Sequence, residues 1–326
     1  MRLLVTGGCG FIFSHVIRHI LNSYPDYYVI NLDKLTYCGN IENTADFRSN
    51  KNYRFVKGDI CNKKLVESIT KDVDVIINAA AETHVDRSII DAGTFVKTDM
   101  LGTHVLLEAA RKNDISKYVQ ISTDEVYGSI KDGSFKETDQ LNPSSPYSAS
   151  KAGADMLVGA YRTTYGLPTI ITRTSNNYGP YQFPEKIIPL FITNLLQNKK
   201  VPLYGDGSNI RDWIFVTDNC SAIDLILHKG KLGEIYNISS SEEKTNLEIT
   251  KILLKLLGES EDMIQHVADR KGHDFRYSLD YSKLTRMGWK PKIKLSEGLA
   301  ITVEWYKNNE AWWRSLLKKI IRTNTL

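Results

Sequence analysis

Tyr147 and Lys151 stand four residues apart in the run Tyr-Ser-Ala-Ser-Lys, a spacing that puts both on one face of a helix, one turn from each other. An ammonium beside a phenol favours the phenolate, which predicts for Tyr147 a pKa moved from about 10 toward neutrality. A tyrosine so tuned can take the proton of a sugar hydroxyl while hydride leaves the same carbon. A second cluster, Thr123-Asp124-Glu125, closes an apolar run. Two carboxyl groups in different environments can divide acid and base work, one protonating a departing hydroxyl and the other removing a C–H proton. Neighbours in a regular strand point to opposite faces, so both reach one substrate only if the chain turns there. The Val-Tyr-Gly that follows permits that turn.

A hydride needs an acceptor, and the chain opens with a place for one. Val5-Thr6-Gly7-Gly8-Cys9-Gly10-Phe11-Ile12 reads as a strand, a glycine-rich turn and the start of a helix. Amides of such a turn, with the helix N-terminus, can face a pyrophosphate. Asp33 ends the next apolar run about 20 residues on, where a carboxylate accepts hydrogen bonds from a ribose. That charge would repel a 2′-phosphate, so NAD is expected rather than NADP, with Lys34 able to soften the preference. Asp59 and Ile60 after a third run, and Ala79, Ala80 and Ala81 after a fourth, are further cofactor contacts. Phe13 departs from the pattern, which usually has a third small residue there. Its ring is expected to force the helix outward or to turn into the lobe, and altered NAD binding is the other reading.

These residues need elements to hold them. Bulky apolar runs predict strands over 3–6, 28–32, 53–57, 73–78, 118–122 and 169–172, several without polar alternation, as in parallel strands covered on both faces. Helical spacing falls over 12–22, 63–71, 95–113 and 147–165. The alternation predicts an α/β, Rossmann-type doubly wound parallel sheet. Later helices are expected over 187–197, 218–227 and 247–257, with a strand over 234–238 returning to the main sheet. Residues 1–175 thus read as a NAD-binding domain. Residues 176–326 read mainly as a smaller, interleaved C-terminal substrate lobe.

Together these segments resemble the extended short-chain dehydrogenase/reductase family, and within it the nucleotide-sugar 4,6-dehydratases. The resemblance lies in 6–12, 33–37, Ala80-Ala81-Glu82-Thr83-His84-Val85-Asp86-Arg87-Ser88, Thr123–Gly128, Tyr147–Lys151, Ser175–Pro180, Arg211-Asp212-Trp213 and Asp269–Asp274, and covers the chain to about residue 313. It implies dehydration of dTDP-glucose without net consumption of NAD. Tyr147 takes the C4 hydroxyl proton with Thr123 bonding the oxygen, Glu125 removes the C5 proton, and Asp124 protonates the leaving C6 hydroxyl. It also implies cofactor contacts at Gly7, Gly10, Phe11, Ile12, Leu35, Thr36, Thr98, Lys151 and Asn177. Substrate contacts are implied at Thr83, His84, Asp86, Asn176, Lys186, Ile187, Pro202, Tyr204, Arg211, Asn246, Arg270 and His273. Arg211 and Arg270 suit a diphosphate, because guanidinium groups match phosphate oxygens in pairs. Lys271 stands where the family often has proline, and Ser239-Ser240 where it has glycines. A homodimer through the helices over 95–113 and 147–165 is implied as well. The same reaction on a UDP-hexose, 4-epimerisation, and a catalytically silent NAD-binding sensor or scaffold remain as alternatives. A simple epimerase has no need of Asp124 and Glu125, and a sensor none of the whole set.

Composition sets the outer limits. With 326 residues, 42% hydrophobic, the chain can bury a large core. Its net charge of +4 is spread out rather than gathered in a basic patch, so no nucleic-acid partner is expected. Cys9, Cys38, Cys61 and Cys220 form no CxxC pair and the seven histidines no ligand spacing, which argues against a metal site or disulfide framework and for a reducing compartment. Met1-Arg2 runs straight into an apolar strand and no run is long enough to span a bilayer, so a cytoplasmic protein without a membrane partner is expected. The basic stretch 312–322 is expected to pack on its own lobe, with a membrane or partner contact as the alternative.

Overall fold

The computed structural model describes residues 1–269 and 272–323, with side chains through Lys318. Six strands alternate with helices through the first half: β1 (Arg2–Thr6), β2 (Tyr28–Asp33), β3 (Tyr53–Lys57), β4 (Val75–Asn78), β5 (Lys117–Thr123) and β6 (Thr169–Thr174). Later come β7 (Asn176–Tyr178), β8 (Val201–Tyr204), β9 (Ile210–Phe215), β10 (Ile235–Ile238), β11 (Glu243–Thr245) and β12 (Ile264–Val267). The main sheet has the order β10-β6-β5-β4-β1-β2-β3, and each neighbouring pair is parallel. β10 is the strand expected to return to it. The adjacent central strands β1 and β4 lead in opposite directions across the sheet, β1 to β2 and β4 to β5, so the crevice at their C-terminal ends is the switch point where such folds bind ligands.

The apolar runs are buried on both faces by alternation. Leu3, Val5, Val29, Val75 and Ile77 enter one core cluster, whereas Leu4, Ile30, Leu32 and Ile76 enter the other. Helices α1 (Phe11–Ser23) and, later, α8 (Val216–Lys229) cover the first face. On the other lie α2 (Lys63–Ile69), α5 (Gly102–Lys112) and α6 (Pro146–Tyr165), after the short α3 (Val85–Ile90) and α4 (Ala92–Phe95).

The single helix expected over 95–113 is not continuous α-helix. Asp91 caps α4, and a π turn, Val96–Leu101, follows before α5 starts at Gly102. A Cβ at Gly102 would lie 2.3 Å from Ile60 Cδ1, so any larger residue at the start of α5 would have to displace the Ile60 side chain. Other boundaries differ from expectation by at most two residues, within ordinary fraying. The strand over 73–78 begins at Val75, and the helix over 63–71 ends at Ile69.

The second half adds a three-stranded sheet, β11-β9-β7, and the pair β12-β8. Helices α7 (Ile187–Leu195), α9 (Asn246–Leu257), α11 (Leu295–Asn308) and α12 (Glu310–Thr323) enclose a third core cluster, and α10 (Ser282–Arg286) packs beside β10. Trp313 and Leu316 on α12 are fully buried, so the described part of the basic stretch packs on its own lobe. Trp312 Nε1 donates to Asn43 Oδ1 at 3.1 Å, which ties α12 back to the first half. No helix among the described residues is long and apolar enough to cross a membrane.

Candidate active site

At the switch point the chain forms a glycine-lined cradle. Gly7 adopts φ +73°, and a Cβ there would stand 2.9 Å from the Ala80 backbone. Thr6 sets that approach: its hydroxyl donates to Asn78 Oδ1 at 2.8 Å and accepts the Ala79 and Ala80 amides at 3.1 and 3.0 Å. Gly10 caps α1 without a side-chain bond, so the helix N-terminus faces the crevice with amides free for an anion. Asp33 Oδ2 accepts the Cys9 amide at 2.9 Å and Oδ1 accepts the Leu35 amide at 2.7 Å. Burial nevertheless raises the Asp33 pKa above the ordinary carboxylate value.

Three expectations for this end need correction or completion. Lys34 Nζ lies 2.9 Å from Asp59 Oδ2, so the two charges engage each other at the rim. Lys34 is therefore not simply a free cation beside Asp33. Leu35 turns through φ +56° and donates to Asp33, but it does not line the cavity. Its role is to shape the turn. Phe13 takes the inward course: it is buried in the core cluster shared by α1, β1 and α8.

A continuous cavity of about 480 Å³ runs from this cradle to the second lobe, a size usual for small-molecule sites. Every named site residue lines it except Leu35 and Arg270; the latter lies outside the described residues, as does Lys271. At its centre β5 ends at Thr123 and the chain at once makes a 3-10 turn, Asp124–Tyr127. Thr123 Oγ1 accepts the Glu125 amide at 3.2 Å and donates to Asp124 Oδ1 at 3.0 Å. This is the bend that brings both acidic side chains to one cavity. Asp124 is 3% exposed, and burial, then the Glu125 charge, raises its pKa well above the carboxylate range. Burial and the neighbouring acid thus favour its protonated form, next to Glu125.

Tyr147 and Lys151 follow from a well-fixed helix start. Pro146 opens α6, and Ser145 and Ser148 form a reciprocal cap, which orients the first turn against the cavity. The expected drop in the Tyr147 pKa is not what the folded chain gives. Burial first, then the charges of Glu125, Asp99 and Asp124, raise it well above 10. Lys151 Nζ meanwhile donates to the Ile121 carbonyl at 2.7 Å. In the protein alone Tyr147 is a phenol, and the helical spacing told only half of its electrostatics.

The second lobe supplies the remaining wall. Lys186 Nζ donates to the Thr83 carbonyl at 2.7 Å, Tyr204 Oη to Asp86 Oδ2 at 3.3 Å, and His273 Nδ1 stands 2.7 Å from Asp269. The Arg211 guanidinium lies 4.3 Å over the Tyr277 ring and donates to the carbonyls of Ile210, Asp274 and Phe275. Asp124 Oδ2, Thr174 Oγ1, Ser175 Oγ, Asn176 Oδ1 and Asn177 Oδ1 are buried along the cavity with no protein partner. Buried polar atoms are rarely left so, and this group marks where a polar ligand belongs. Sequence reasoning missed Glu82, Tyr277 and Glu185, which also line the cavity. Glu82 stood inside a matching segment and Tyr277 three residues beyond one, whereas nothing in the spacing signalled Glu185.

A doubly wound sheet, a glycine cradle and a Tyr–Lys helix define a dinucleotide-dependent enzyme of the short-chain dehydrogenase/reductase type. The chain belongs to the GDP-mannose 4,6 dehydratase family, whose model matches residues 4–302. It is 50% identical over 321 residues to a dTDP-glucose 4,6-dehydratase of Streptomyces niveus, a match covering 97% of this chain and 96% of that one. The dTDP-glucose 4,6-dehydratase of Streptomyces venezuelae, solved with NAD and dTDP bound, is similar in structure with a TM-score of 0.95 at 51% identity, covering 97% of this chain and 100% of that one. A UDP-glucose 4-epimerase of Thermotoga maritima gives 0.88 at 32% identity, covering 95% and 100%. The fold is therefore common to both activities, and the site must distinguish them.

Proposed function

We infer that this chain catalyses the NAD-dependent 4,6-dehydration of dTDP-glucose to dTDP-4-keto-6-deoxyglucose. The observation that carries this reading is the turn after β5, which brings the Asp124 and Glu125 carboxyl groups together with Tyr147 in one cavity, with burial favouring the protonated form of Asp124. An epimerase needs a tyrosine and a nucleotide but no acid–base pair for expelling water. The dTDP-glucose 4,6-dehydratases similar over nearly the whole chain support the substrate.

The residues present fit NAD. The Gly7–Ala80 approach leaves a groove that a Cβ would fill, the open end of α1 suits a pyrophosphate, and Asp33, which ends β2 and lines the same cavity, suits a ribose. Bound NAD supplies a hydride acceptor at sugar C4 and a hydride donor at C6. Tyr147 takes the C4 hydroxyl proton, with Thr123 holding that oxygen and Lys151 supporting the developing phenolate. The C4 ketone acidifies C5–H, so Glu125 can remove it as Asp124 protonates the departing C6 hydroxyl. Residues 1–175 with β10 carry the cofactor, and residues 176–326 mainly hold the nucleotide diphosphate, for which Arg211 is the described cation.

Exposed Ile89, Ile90, Val96, Leu101 and Met156 cluster on α3, the π turn and α6, which supports a homodimer through that face. Four free cysteines support a cytoplasmic enzyme. The test is incubation of NAD-loaded protein with dTDP-glucose and, separately, UDP-glucose, following product mass. Loss of one water, faster from dTDP-glucose, is expected. Equal turnover of both moves the reading to a broader nucleotide range. An unchanged mass from both overturns it in favour of epimerisation, read by sugar stereochemistry, or of a silent NAD-binding module.

A further inference from the structure

Behind Tyr147 and Lys151 the fold places a carboxylate that has no part in the scheme above. Asp99 sits in the π turn Val96–Leu101 and is 2% exposed. Its Oδ2 accepts the Ser150 hydroxyl at 2.6 Å and its Oδ1 accepts the Glu82 amide at 3.0 Å. It therefore joins three walls of the site: the turn whose Thr98 lines the cavity, the loop after β4, and the stretch of α6 between Tyr147 and Lys151. π turns recur at functional sites because they re-aim a side chain within a helix.

Ser150 gives this contact an unusual property. Its Oγ is 2.6 Å from Asp99 Oδ2 and 2.7 Å from the Tyr147 carbonyl oxygen, yet a hydroxyl has one hydrogen. When Asp99 is ionised, that hydrogen goes to Asp99. When Asp99 carries a proton, Asp99 donates it to Ser150, and the Ser150 hydrogen turns to the carbonyl. The contact survives either way, so Asp99 can change charge without releasing the helix.

Lys151 and Tyr147 both feel that charge. The Lys151 ammonium favours ionised Asp99, and ionised Asp99 opposes the Tyr147 phenolate. Burial outweighs the ammonium and pushes the Asp99 pKa up to about 6. Glu82, facing it from the loop after β4, is pushed up to about 7 by burial and by Asp99 itself. Glu125 opposes the Tyr147 phenolate more strongly than Asp99 does and Asp124 adds to it, while Lys34, Arg87 and Glu185 act on Glu82. Asp155 on α6 pairs with Arg173 at 3.0 Å, and His104 and Glu108 on α5 meet Tyr161. Lys97 on the turn is exposed, its carbonyl accepting the Cys61 thiol.

We propose that Asp99 is a positioning residue of the oxidation step, holding Ser150 and the Glu82 loop in place and setting by its charge how readily Tyr147 gives up its proton. This role rests on the dehydratase reading. It is tested by the pH profile of kcat/KM for dTDP-glucose in wild type and in Asp99→Asn, with NAD loading and thermal denaturation measured alongside. Asn keeps the shape but removes the charge present above about pH 6. The acid limb attributed to Tyr147 should move to lower pH by about one unit, with KM nearly unchanged. Should Asp99→Asn fail to fold, Asp99→Ser removes the same charge and should give the same shift. Superposed limbs, or a raised KM with the limb in place, overturn the proposal and leave Asp99 a purely structural tie. Wild-type protein without turnover in the same assay overturns the dehydratase reading instead.

Discussion

A Cβ on Gly7 would stand 2.9 Å from both the Cα and the amide nitrogen of Ala80, so the ends of β1 and β4 meet at a distance only glycine allows. Its φ of +73° adds strain for any other residue. Gly7→Ala is expected to lower stability by about 1–3 kcal/mol and to strip the protein of NAD. Nucleotide released on denaturing the purified variant measures this. Full NAD occupancy would show that the cradle lies elsewhere.

The adjacent acids should fail at different points. Asp124→Asn cannot protonate the leaving hydroxyl and is expected to cut kcat by about 10²–10⁴. Because oxidation at C4 precedes that step, reduced nicotinamide should accumulate, visible by absorbance. Glu125→Gln should also lose turnover, and the hydrogen at sugar C5 should then not exchange with deuterated solvent. In wild type burial raises the Asp124 pKa, so its contribution as an acid is lost as pH rises through the folded-state value. Normal turnover by Asp124→Asn would remove it from the proposed role.

Phe13 is a packing residue in this fold, buried on α1 within the core cluster that also holds Ile17 and Ile223. Phe13→Ala should therefore cost about 3–5 kcal/mol by leaving a cavity, without tightening NAD. Chemical denaturation and nucleotide titration read the two effects separately. A variant that binds NAD more tightly at unchanged stability would mean the ring obstructs the site.

The elements that carry chemistry were legible wherever spacing alone decides them. β1, the glycine turn and α1 have local signatures, and so does the Tyr147–Lys151 face, whose cap at Ser145 is itself local. What the spacing could not give is the field inside the site. Tyr147 sits among Glu125, Asp99 and Asp124, carboxyls supplied by the turn after β5 and by a π turn nearly fifty residues upstream. Helical periodicity over 95–113 hid that turn, because one inserted residue hardly disturbs an apolar pattern. The Lys34–Asp59 pair was equally invisible, since it forms only when β2 and β3 lie side by side.

Stability should respond to pH through carboxyls buried with their protons. Asp212 and Glu82 are pushed up to about 7 and Asp99 to about 6, mainly by burial. The unfolded chain ionises the same groups near pH 4, so across the interval the native state binds more protons. Unfolding free energy of the nucleotide-free protein should then fall as pH rises from about 4 to 7, by about 1 kcal/mol per pH unit for each group titrating. Asp212 Oδ1 has no protein partner, which makes its charge costly. Asp212→Asn should flatten the slope and raise the melting temperature at pH 8. A slope unchanged by that substitution would mean Asp212 ionises normally.

The exposed apolar face makes a prediction about assembly. Ile90 is 87% and Met156 65% exposed, on α3 and α6, while Val96 and Leu101 open the same region from the π turn. A soluble monomer rarely leaves such large side chains clustered in water, and a helix-pair interface would bury them. Sedimentation of the wild-type chain should give twice its 37.0 kDa mass. Ile90→Asp with Met156→Asp places charges on that face and should shift the protein to monomer, weakening association by at least about tenfold. The π turn that carries Asp99 lies between this face and the cavity, so dimer loss should also lower kcat more than it raises KM. A wild-type monomer, or a dimer indifferent to both substitutions, would assign the apolar face to something other than a second copy of this chain.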